Sequence, residues 1–394
     1  MPFAETYYNS DVYNHFELLS PEEQAAIKRL RPILDNDVKP YINEYWEKGE
    51  FPTQIIQPLV DGGFMNPTEV ISAGAKPSGL YAGFRNFELA RTDVSTATFY
   101  NAVSGLFRTT VLLGGSPEQA AEWDPQIADF KFTGVFCLTE AEHGSDIAGG
   151  LATSCRREGD TWVLNGDKRW IGGCSLVGNL AIFARDEADN KVKGFIVPTN
   201  TPGYKAEKIE GKYSLRIVQN AHITMTNVVI PDSHHLANAN SFADTNKVLA
   251  ATRLDVAWAS IGNAIGAYDK AVAYATERQQ FGKPIAQFQL VQDLLVKSLK
   301  SITAALAMVA RVAELNDRGI FDEEQSSMAK LFAAGEGRKV VSWCRELLGG
   351  NGIVIDYDVI RHFADAESAY SYEGTEQVNT LIVGRAITGK QAFV

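Results

Sequence analysis

The spacing of apolar residues changes twice along this chain of 394 residues. The N-terminal third reads as helical, the stretch from about residue 131 to 231 holds short β-rich runs, and a helical period returns after Asp232. We therefore expect an α+β fold. The expected domains are an N-terminal helical domain at 1–130, a central antiparallel β domain at 131–235 and a C-terminal helical bundle at 236–394.

Local signals support each of the three regions. Ser20, Pro21 and Glu23 form a capping box that predicts a helix from about Pro21. In the centre, strands are predicted at 161–164 and 181–184, with turns at Glu158-Gly159 and Asn165-Gly166. One helical stripe is predicted towards the C-terminus, formed by Val291, Leu295, Leu299, Ile302, Leu306 and Val309.

Composition narrows the class of protein. A hydrophobic content of 45% is ordinary for a soluble protein, and a formal charge of -11 without a basic cluster argues against nucleic acid as a main partner. The chain starts without a leader pattern and has no apolar run long enough to span a membrane, so we expect a cytoplasmic protein without membrane attachment. The scattered cysteines (Cys137, Cys155, Cys174 and Cys344) fit a reducing compartment.

The sequence lacks the motifs of several common nucleotide-binding, hydrolase and metal sites. There is no P-loop, HExxH, GxSxG or GxGxxG motif, so a nucleotide bound in the Rossmann manner has no visible cradle. The six histidines lack metal-ligand spacing, and we expect no metal site and no histidine role: His15, His143, His222, His234, His235 and His362.

Four short segments are the candidates for chemistry: CLTEAEHGSD at 137–146, KRWIG at 168–172, LLGGNG at 347–352 and YEGT at 372–375. The first can cradle an anion or a flavin edge, and the second can cover a planar cofactor with its tryptophan. Taken singly, each also fits an ordinary feature, namely a turn, core packing, a helix C-cap and a helix-initiating glutamate. The residues alone leave these alternatives open.

Together and in this order, the four segments resemble the acyl-CoA dehydrogenase family. The likeness runs from about Glu22 to Phe393, contains the family's CLTExxxGSD and LGGNG-to-YEGT stretches, and includes RQQFG at 278–282. Within the family, the segments at 211–216, 243–253 and 384–393 look most like glutaryl-CoA dehydrogenases and plant short-chain acyl-CoA oxidases. The resemblance implies helices flanking a central β domain, bound FAD and a homotetramer.

The resemblance also assigns residues. Those implied to hold FAD are Phe136, Leu138, Thr139, Ser145, Trp170, Gly172, Arg278, Phe281, Gln289, Glu346, Gly349, Gly350, Thr375 and Gln377, some of them across a subunit boundary. Those implied on the substrate side are Tyr372, Gly374, Arg253 and Ala97. Two positions depart from the family pattern: Glu346 replaces a more common glutamine, and His143 replaces a small residue.

The implied reaction introduces a trans double bond between C2 and C3 of an acyl-CoA thioester. Glu373 is implied as the base, with the thioester oxygen held by the Glu373 N–H and a flavin ribityl hydroxyl. Such a base works best with a pKa near the working pH, and apolar surroundings should raise it. Some relatives carry the base just before the arginine that matches Arg253, but here that position is Thr252, which cannot serve.

Two substitutions bear on the substrate and the electron acceptor. Ala97 stands where glutaryl-CoA dehydrogenases carry an anchoring arginine, which favours a short or medium unsubstituted chain; Arg108 is expected to form a structural ion pair or a snorkelling contact rather than a displaced anchor. Gly172 replaces a threonine that contacts the flavin in dehydrogenases, which should open space for O2. Electron-transferring flavoprotein is the expected acceptor. The alternatives are an oxidase using O2, a glutaryl-CoA dehydrogenase-like activity, and a flavin-free helical binding protein on the same fold.

Overall fold

The computed structural model describes residues 6–391; the first five residues and Ala392, Phe393 and Val394, at the end of the family likeness, lie outside that range. Helices within it are α1 (Pro21–Ile33), α2 (Lys39–Lys48), α3 (Ile56–Asp61), α4 (Thr68–Ser72), α5 (Gly79–Thr92), α6 (Val94–Asn101), α7 (Arg108–Gly114), α8 (Pro117–Ala128), α9 (Ile147–Gly150), α10 (Phe242–Glu277), α11 (Gln289–Asp317), α12 (Glu323–Leu347), α13 (Val359–Ser371) and α14 (Glu376–Thr388). Strands are β1 (Gly134–Cys137), β2 (Ser154–Glu158), β3 (Thr161–Gly172), β4 (Asn179–Asp186), β5 (Val192–Pro198), β6 (Tyr204–Lys208), β7 (Asn220–Pro231), β8 (Gln279–Gln280) and β9 (Lys283–Pro284). The expected succession of helices, sheet and helices is confirmed.

The chain divides into two compact units. Unit 1 consists of Met1–Ala97, Tyr213–Ile217 and Arg253–Val394, and unit 2 consists of Thr98–Lys212 and Val218–Thr252. Helices α1 to α5 and α11 to α14 therefore share one unit, because helices distant in sequence bury their apolar faces together, whereas α7 and α8 belong to unit 2. The boundaries at 130 and 235 stay a prediction.

Unit 1 is built around large apolar side chains of α5 and α10. The ring centroids of Phe84 and Trp258 lie 5.2 Å apart, and both side chains are buried. Gly83 allows this close packing, because a Cβ there would lie 2.2 Å from the Trp258 ring. The stripe predicted on α11 also faces this core, fully buried at Ile302, Leu306 and Val309 and half-buried nearer the start of the helix.

The predicted start of the first helix is confirmed. α1 begins at Pro21, the Ser20 hydroxyl accepts a hydrogen bond from the Glu23 N–H, and the Glu23 carboxylate accepts one from the Ser20 N–H. This is the reciprocal capping box that the sequence predicts.

Unit 2 holds a seven-stranded sheet in the order β1-β4-β2-β3-β7-β6, with β5 paired to β4. Most pairings are antiparallel, as expected, but β1 and β2 both run parallel to β4. The expected antiparallel sheet is therefore confirmed for most of its pairings, and the two parallel pairings at β4 are the exceptions. β1 and β2 occupy opposite ends of the same β4 edge, and neither reaches β4 through the tight hairpin that an antiparallel pair allows.

One of the two predicted turns is a strand interior. Gly159 has a φ of 61° between β2 and β3, as a hairpin turn requires, which confirms the Glu158-Gly159 turn. At Asn165-Gly166 the prediction was wrong: β3 continues through both residues, with a register shift against β7 between Leu164 and Gly166. Gly166 has a φ of 141°, and a Cβ there would lie 2.7 Å from the Thr153 Cα. Gly166 therefore marks a bulge in β3 and a close approach to the Thr153 backbone, and the chain does not reverse there.

Neither a membrane span nor a metal cluster is found in the part of the chain that the structure describes. No helix between residues 6 and 391 is both long and apolar enough to cross a bilayer. In the same range, His, Cys, Asp and Glu side chains form no group of three or more that could hold a metal ion.

Candidate active site

Glu373 lies in a short loop between α13 and α14. Its φ is 49° and that of Gly374 is 87°, so two consecutive residues adopt left-handed backbone conformations. α14 begins only at Glu376, and its N-cap is Thr375, whose hydroxyl accepts a hydrogen bond from the Val378 N–H. Glu373 is therefore not the helix-initiating glutamate of the simpler alternative. A non-glycine residue held at positive φ marks a position that surrounding structure enforces.

A buried lysine of α12 donates hydrogen bonds to this loop. Lys330 of α12 is only 1% exposed, and its Nζ donates hydrogen bonds to the carbonyl oxygens of Tyr370 at 3.0 Å and Gly374 at 2.7 Å. These carbonyls lie on either side of Glu373 in the chain. Burial lowers the pKa of Lys330 to about 8, while the negative fields of Glu373 and Glu376 oppose that fall.

The carboxyl group of Glu373 has an unpaired oxygen and a raised pKa. Its Oε2 atom is buried and has no hydrogen-bond partner among residues 6–391. Burial, followed by the negative field of Asp255, raises the pKa of Glu373 to about 8, although Arg253 and Lys330 act in the opposite direction. A carboxyl group with one buried, unpaired oxygen and a pKa near neutrality is the arrangement expected of a general acid or base.

Asp255 of α10 is a second acidic group at this site, and sequence reasoning missed it. Its Oδ1 accepts a hydrogen bond of 2.8 Å from Nδ2 of Asn86 on α5, and burial raises its pKa to about 6. Asn86 is fully buried, and its Oδ1 has no partner in the described range. The available signal was an aspartate inside the apolar run from Leu254 to Ala259, where a charge needs a reason.

The other residues assigned to the substrate side differ in how far they are buried. Arg253 is buried and donates from Nη1 to Glu323 at 3.2 Å and to Ser327 at 3.1 Å, so its charge is partly neutralised inside unit 1. Ala97 is fully buried, whereas Tyr372 is half-buried beside Glu373. A fixed arginine near Glu373 can orient an anionic intermediate, but its own partners limit how far it can move.

Unit 2 brings the first two candidate segments together. The Arg169 N–H donates to the Thr139 carbonyl at 2.8 Å, and the buried Lys168 Nζ reaches the Leu138 carbonyl at 3.1 Å and the Glu140 carboxylate at 2.8 Å. Burial alone would raise the pKa of Glu140, but Lys168 and the backbone donors keep it below its usual range. This buried ion pair fixes the loop whose backbone is expected beside a flavin.

Trp170 presents an open aromatic face. It is 53% exposed, has a φ of 66°, and its carbonyl accepts a hydrogen bond of 2.9 Å from Asn220. Phe136 is half-buried, with its ring centroid 4.9 Å from that of Phe183, and Ser145 is exposed. The Arg169 guanidinium lies over the indole, 5.4 Å from the ring centroid, and the rest of this large ring is open and fits the planar ring of a flavin, which would bury it.

Gly172 does not leave the open space that the sequence suggested. A Cβ at this position would lie 2.8 Å from Cγ1 of Val218 and 3.3 Å from Nδ2 of Asn220. The space that a side chain at position 172 would occupy is filled by Val218. The expectation that Gly172 opens a path for O2 was therefore wrong on the side of the strand where that side chain would lie. Its place in the flavin site stays a prediction.

The remaining flavin candidates lie on unit 1. Seven of them are exposed: Arg278, Phe281, Gln289, Glu346, Gly349, Gly350 and Gln377. Phe281 is the most exposed of the large hydrophobic residues, with 93% of its surface open, and it has a φ of 51°. Thr375 is half-buried, and its hydroxyl caps α14. An exposed phenylalanine in a strained conformation fits a residue that a ligand or another subunit covers.

Arg108 serves a structural purpose, as expected. Its Nε and Nη2 donate to the two carboxylate oxygens of Asp124 at 2.5 and 3.0 Å. This bidentate pair joins α7 to α8 and leaves the guanidinium unsuited to anchor a substrate carboxylate.

Comparison with known proteins agrees with the resemblance. Models of the acyl-CoA dehydrogenase N-terminal, middle and C-terminal domains match residues 20–131, 135–228 and 242–388. The chain is 32% identical over 370 residues to a 3-(aryl)acrylate reductase of Clostridium sporogenes, covering 92% of this chain and 97% of the relative. It is 31% identical over 378 residues to the caffeyl-CoA reductase-Etf complex subunit CarC of Acetobacterium woodii, covering 94% and 99%.

A solved structure shows the same fold throughout. The glutaryl-CoA dehydrogenase of Mycobacterium smegmatis in complex with FADH2 superposes with a TM-score of 0.91 at 30% identity, covering 98% of this chain and 100% of the relative. The three domain models, which match in sequence order, and the superposition over nearly the whole length all indicate the same family. The chain belongs to the acyl-CoA dehydrogenase family of oxidoreductases.

Proposed function

We propose that this protein is an FAD-dependent acyl-CoA dehydrogenase that oxidises a short or medium acyl-CoA to the trans-2-enoyl-CoA, with Glu373 as the base. The observation that carries the proposal is the unpaired, buried carboxyl oxygen of Glu373 with a pKa raised to about 8. A dehydrogenase must remove a weakly acidic C2 proton, and a carboxylate shielded from water is a stronger base than one in solution.

The residues present fit FAD at the flavin positions. Trp170 offers an uncovered indole face, and the loop at Leu138 and Thr139 is fixed by buried hydrogen bonds. When bound, FAD supplies the acceptor for the hydride that leaves C3. The chain's own part is to orient the thioester, to exclude water from Glu373 and to hold the C2 proton on its carboxyl group.

Replacing the base tests the proposal. In Glu373→Gln we expect retained FAD and thioester binding, but loss of the flavin absorbance change when acyl-CoA is added without oxygen, because the amide cannot accept the proton. Glu17→Gln, which changes an exposed glutamate on the surface of unit 1, is the matched control and should behave like the wild type. Flavin bleaching in Glu373→Gln near the wild-type rate would assign the base to another group.

The proposed substrate carries no charge at the far end of its acyl chain. Ala97 supplies no cation, so a distal carboxylate would lose its water without a partner, at a cost of several kcal/mol. A panel of acyl-CoA chain lengths with glutaryl-CoA tests this: glutaryl-CoA should be among the poorest substrates, and a preference for it would contradict the assignment.

We further propose that the protein passes electrons to electron-transferring flavoprotein, acts as a homotetramer in the cytoplasm and serves fatty-acid β-oxidation. The name of the caffeyl-CoA reductase-Etf complex subunit supports such a partner within the family. The exposed Phe281 in a strained conformation supports coverage by another subunit. Comparison of H2O2 release with reduction of an electron-transferring flavoprotein distinguishes a dehydrogenase from an oxidase.

A second candidate is the reverse reaction, reduction of a 2-enoyl-CoA. Two relatives are named as reductases, and a Glu373 with a pKa of about 8 is mostly protonated at neutral pH, as a proton donor to C2 must be. The pH dependence separates the directions: oxidation should quicken as the pH rises towards 8, and reduction should slow over the same interval. Faster turnover of 2-enoyl-CoA than of acyl-CoA at pH 7 would favour the reductase.

A further inference from the structure

Lys330 has a geometry that ordinary stabilisation of a helix does not require. It lies within α12, is 1% exposed, and points its ammonium at two backbone carbonyls of another segment instead of at a carboxylate. A buried ammonium that meets only neutral acceptors keeps a large part of its desolvation cost. The function of such a residue lies in what it holds in place or in its charge.

The two acceptors bracket the base. The Tyr370 carbonyl belongs to the end of α13, the Gly374 carbonyl follows Glu373, and Nζ is 3.0 and 2.7 Å from them. Between them Glu373 adopts a φ of 49°. The Asn379 side-chain amide also donates to the Gly374 carbonyl at 2.8 Å, so that one oxygen is held from α12 and from α14.

We propose that Lys330 is the positioning residue of Glu373: its ammonium clamps the loop in the left-handed conformation that directs the carboxyl group to the reacting carbon, and its charge favours the ionised base. The inference rests on the proposed function, in which Glu373 takes the C2 proton. Nothing in the sequence motif around Glu373 contains this lysine, which lies 43 residues earlier in the chain.

Every charged group near the base enters the expected pH dependence. Asp255 of α10 raises the pKa of Glu373 and Arg253 lowers it, while Arg253 itself is paired with Glu323 of α12. Glu376 at the start of α14 acts on Lys330. With these groups unchanged, removal of the Lys330 charge should raise the pKa of Glu373, because one of its two stabilising cations is lost.

The principal test is titration of the Glu373 carboxyl group by infrared difference spectroscopy, with Glu373→Gln as the reference that identifies the band. It is done without thioester, so it does not depend on turnover. In Lys330→Met we expect the titration midpoint to move to higher pH. A midpoint equal to that of the wild type would mean that Lys330 acts on Glu373 neither through its charge nor through the loop, and would overturn the proposal.

Kinetics supply the second readout. In Lys330→Met the anaerobic rate of flavin reduction should fall by about 100-fold, as for loss of positioned acid–base catalysis, while KM stays within about threefold of the wild type. Lys330→Arg, which keeps the charge and donors, should recover part of the rate. Lys339→Met is the control, since Lys339 lies on the same helix but is exposed and paired with Glu336 at 2.6 Å. If KM rises in Lys330→Met while the rate of flavin reduction stays at the wild-type value, the assignment is also overturned.

Folding and function can fail separately. If Lys330→Met does not yield folded protein, Lys330→Gln keeps an amide donor of similar size and is measured in the same way; failure of both to fold would make Lys330 a determinant of the fold and refute the proposal. If the wild type shows no thioester-dependent flavin reduction, the proposed function fails, and the infrared titration still decides whether Lys330 controls Glu373.

Discussion

Glu373 should make the stability of the folded protein depend on pH. Its pKa is raised from 4.5 to about 8 by burial, and Glu373→Gln replaces it with a neutral side chain of similar size. Below pH 4.5 the carboxyl group is protonated in both the folded and the unfolded chain, so it carries no penalty there. Between pH 4.5 and 8 the unfolded chain ionises and the folded one does not, so the wild type loses stability relative to the variant as pH rises.

The size of the effect follows from the shift. A difference of about 3.5 pKa units, at about 1.4 kcal/mol per unit, gives an upper limit of about 5 kcal/mol at pH 8 and above. Water that reaches the half-buried side chain will reduce this figure, and about 2 kcal/mol would still be readily measured. At about 2.1 cal/mol/K per residue over 394 residues, a loss of that size corresponds to about 2 degrees in the midpoint of thermal unfolding.

The assay is the thermal unfolding midpoint of the wild type and of Glu373→Gln between pH 4.5 and 9, at fixed ionic strength, protein concentration and FAD. The midpoint of the variant should exceed that of the wild type by a margin that grows with pH and levels off near pH 8. Glu17→Gln, at an exposed glutamate, should give a constant offset. Parallel curves for the wild type and Glu373→Gln would refute the reasoning, because they would mean that Glu373 titrates alike in both states.

Three further substitutions test other parts of the site. Asp255→Asn removes a carboxylate that raises the pKa of the base, so the rising limb of flavin reduction against pH should move to lower pH; an unmoved limb would contradict the coupling. Gly172→Thr should lower the unfolding midpoint because its Cβ would lie 2.8 Å from Val218, and the pair Gly172→Thr with Val218→Ala should recover it; equal midpoints would contradict the packing. Arg108→Leu should destabilise the protein by about 1–3 kcal/mol through loss of the bidentate pair with Asp124, without changing the rank order of acyl-CoA substrates; a selective loss of glutaryl-CoA turnover would make Arg108 the displaced anchor.

Local patterns in the sequence predicted the features that depend on neighbouring residues. The capping box at Ser20, the turn at Gly159 and the stripe on α11 all follow from contacts within a few residues or one helix face. The acyl-CoA dehydrogenase family was also readable, because its motifs are contiguous and their order survives in the linear chain. Glu373 was named for the same reason.

Tertiary structure decided what the linear chain could not express. Asn165-Gly166 has the composition of a turn, yet Thr153 approaches so closely that glycine is needed inside a strand. The parallel pairings of β4 and the filled space beside Gly172 likewise depend on strands that are distant in sequence. A motif records which residues are adjacent along the chain, whereas sheet order and free volume depend on which segments meet.

The same distinction applies to Glu373, the proposed base. The sequence determined that a glutamate stands between a tyrosine and a glycine before a helix, and hence which group can take a proton. Its buried position, the neighbouring carboxylate of Asp255 and the clamp from Lys330 come from α10 and α12, far from the motif. Because desolvation and Coulomb fields act through space and not along the chain, only the tertiary structure could set the pKa and the orientation of Glu373, on which its proposed role as a base depends.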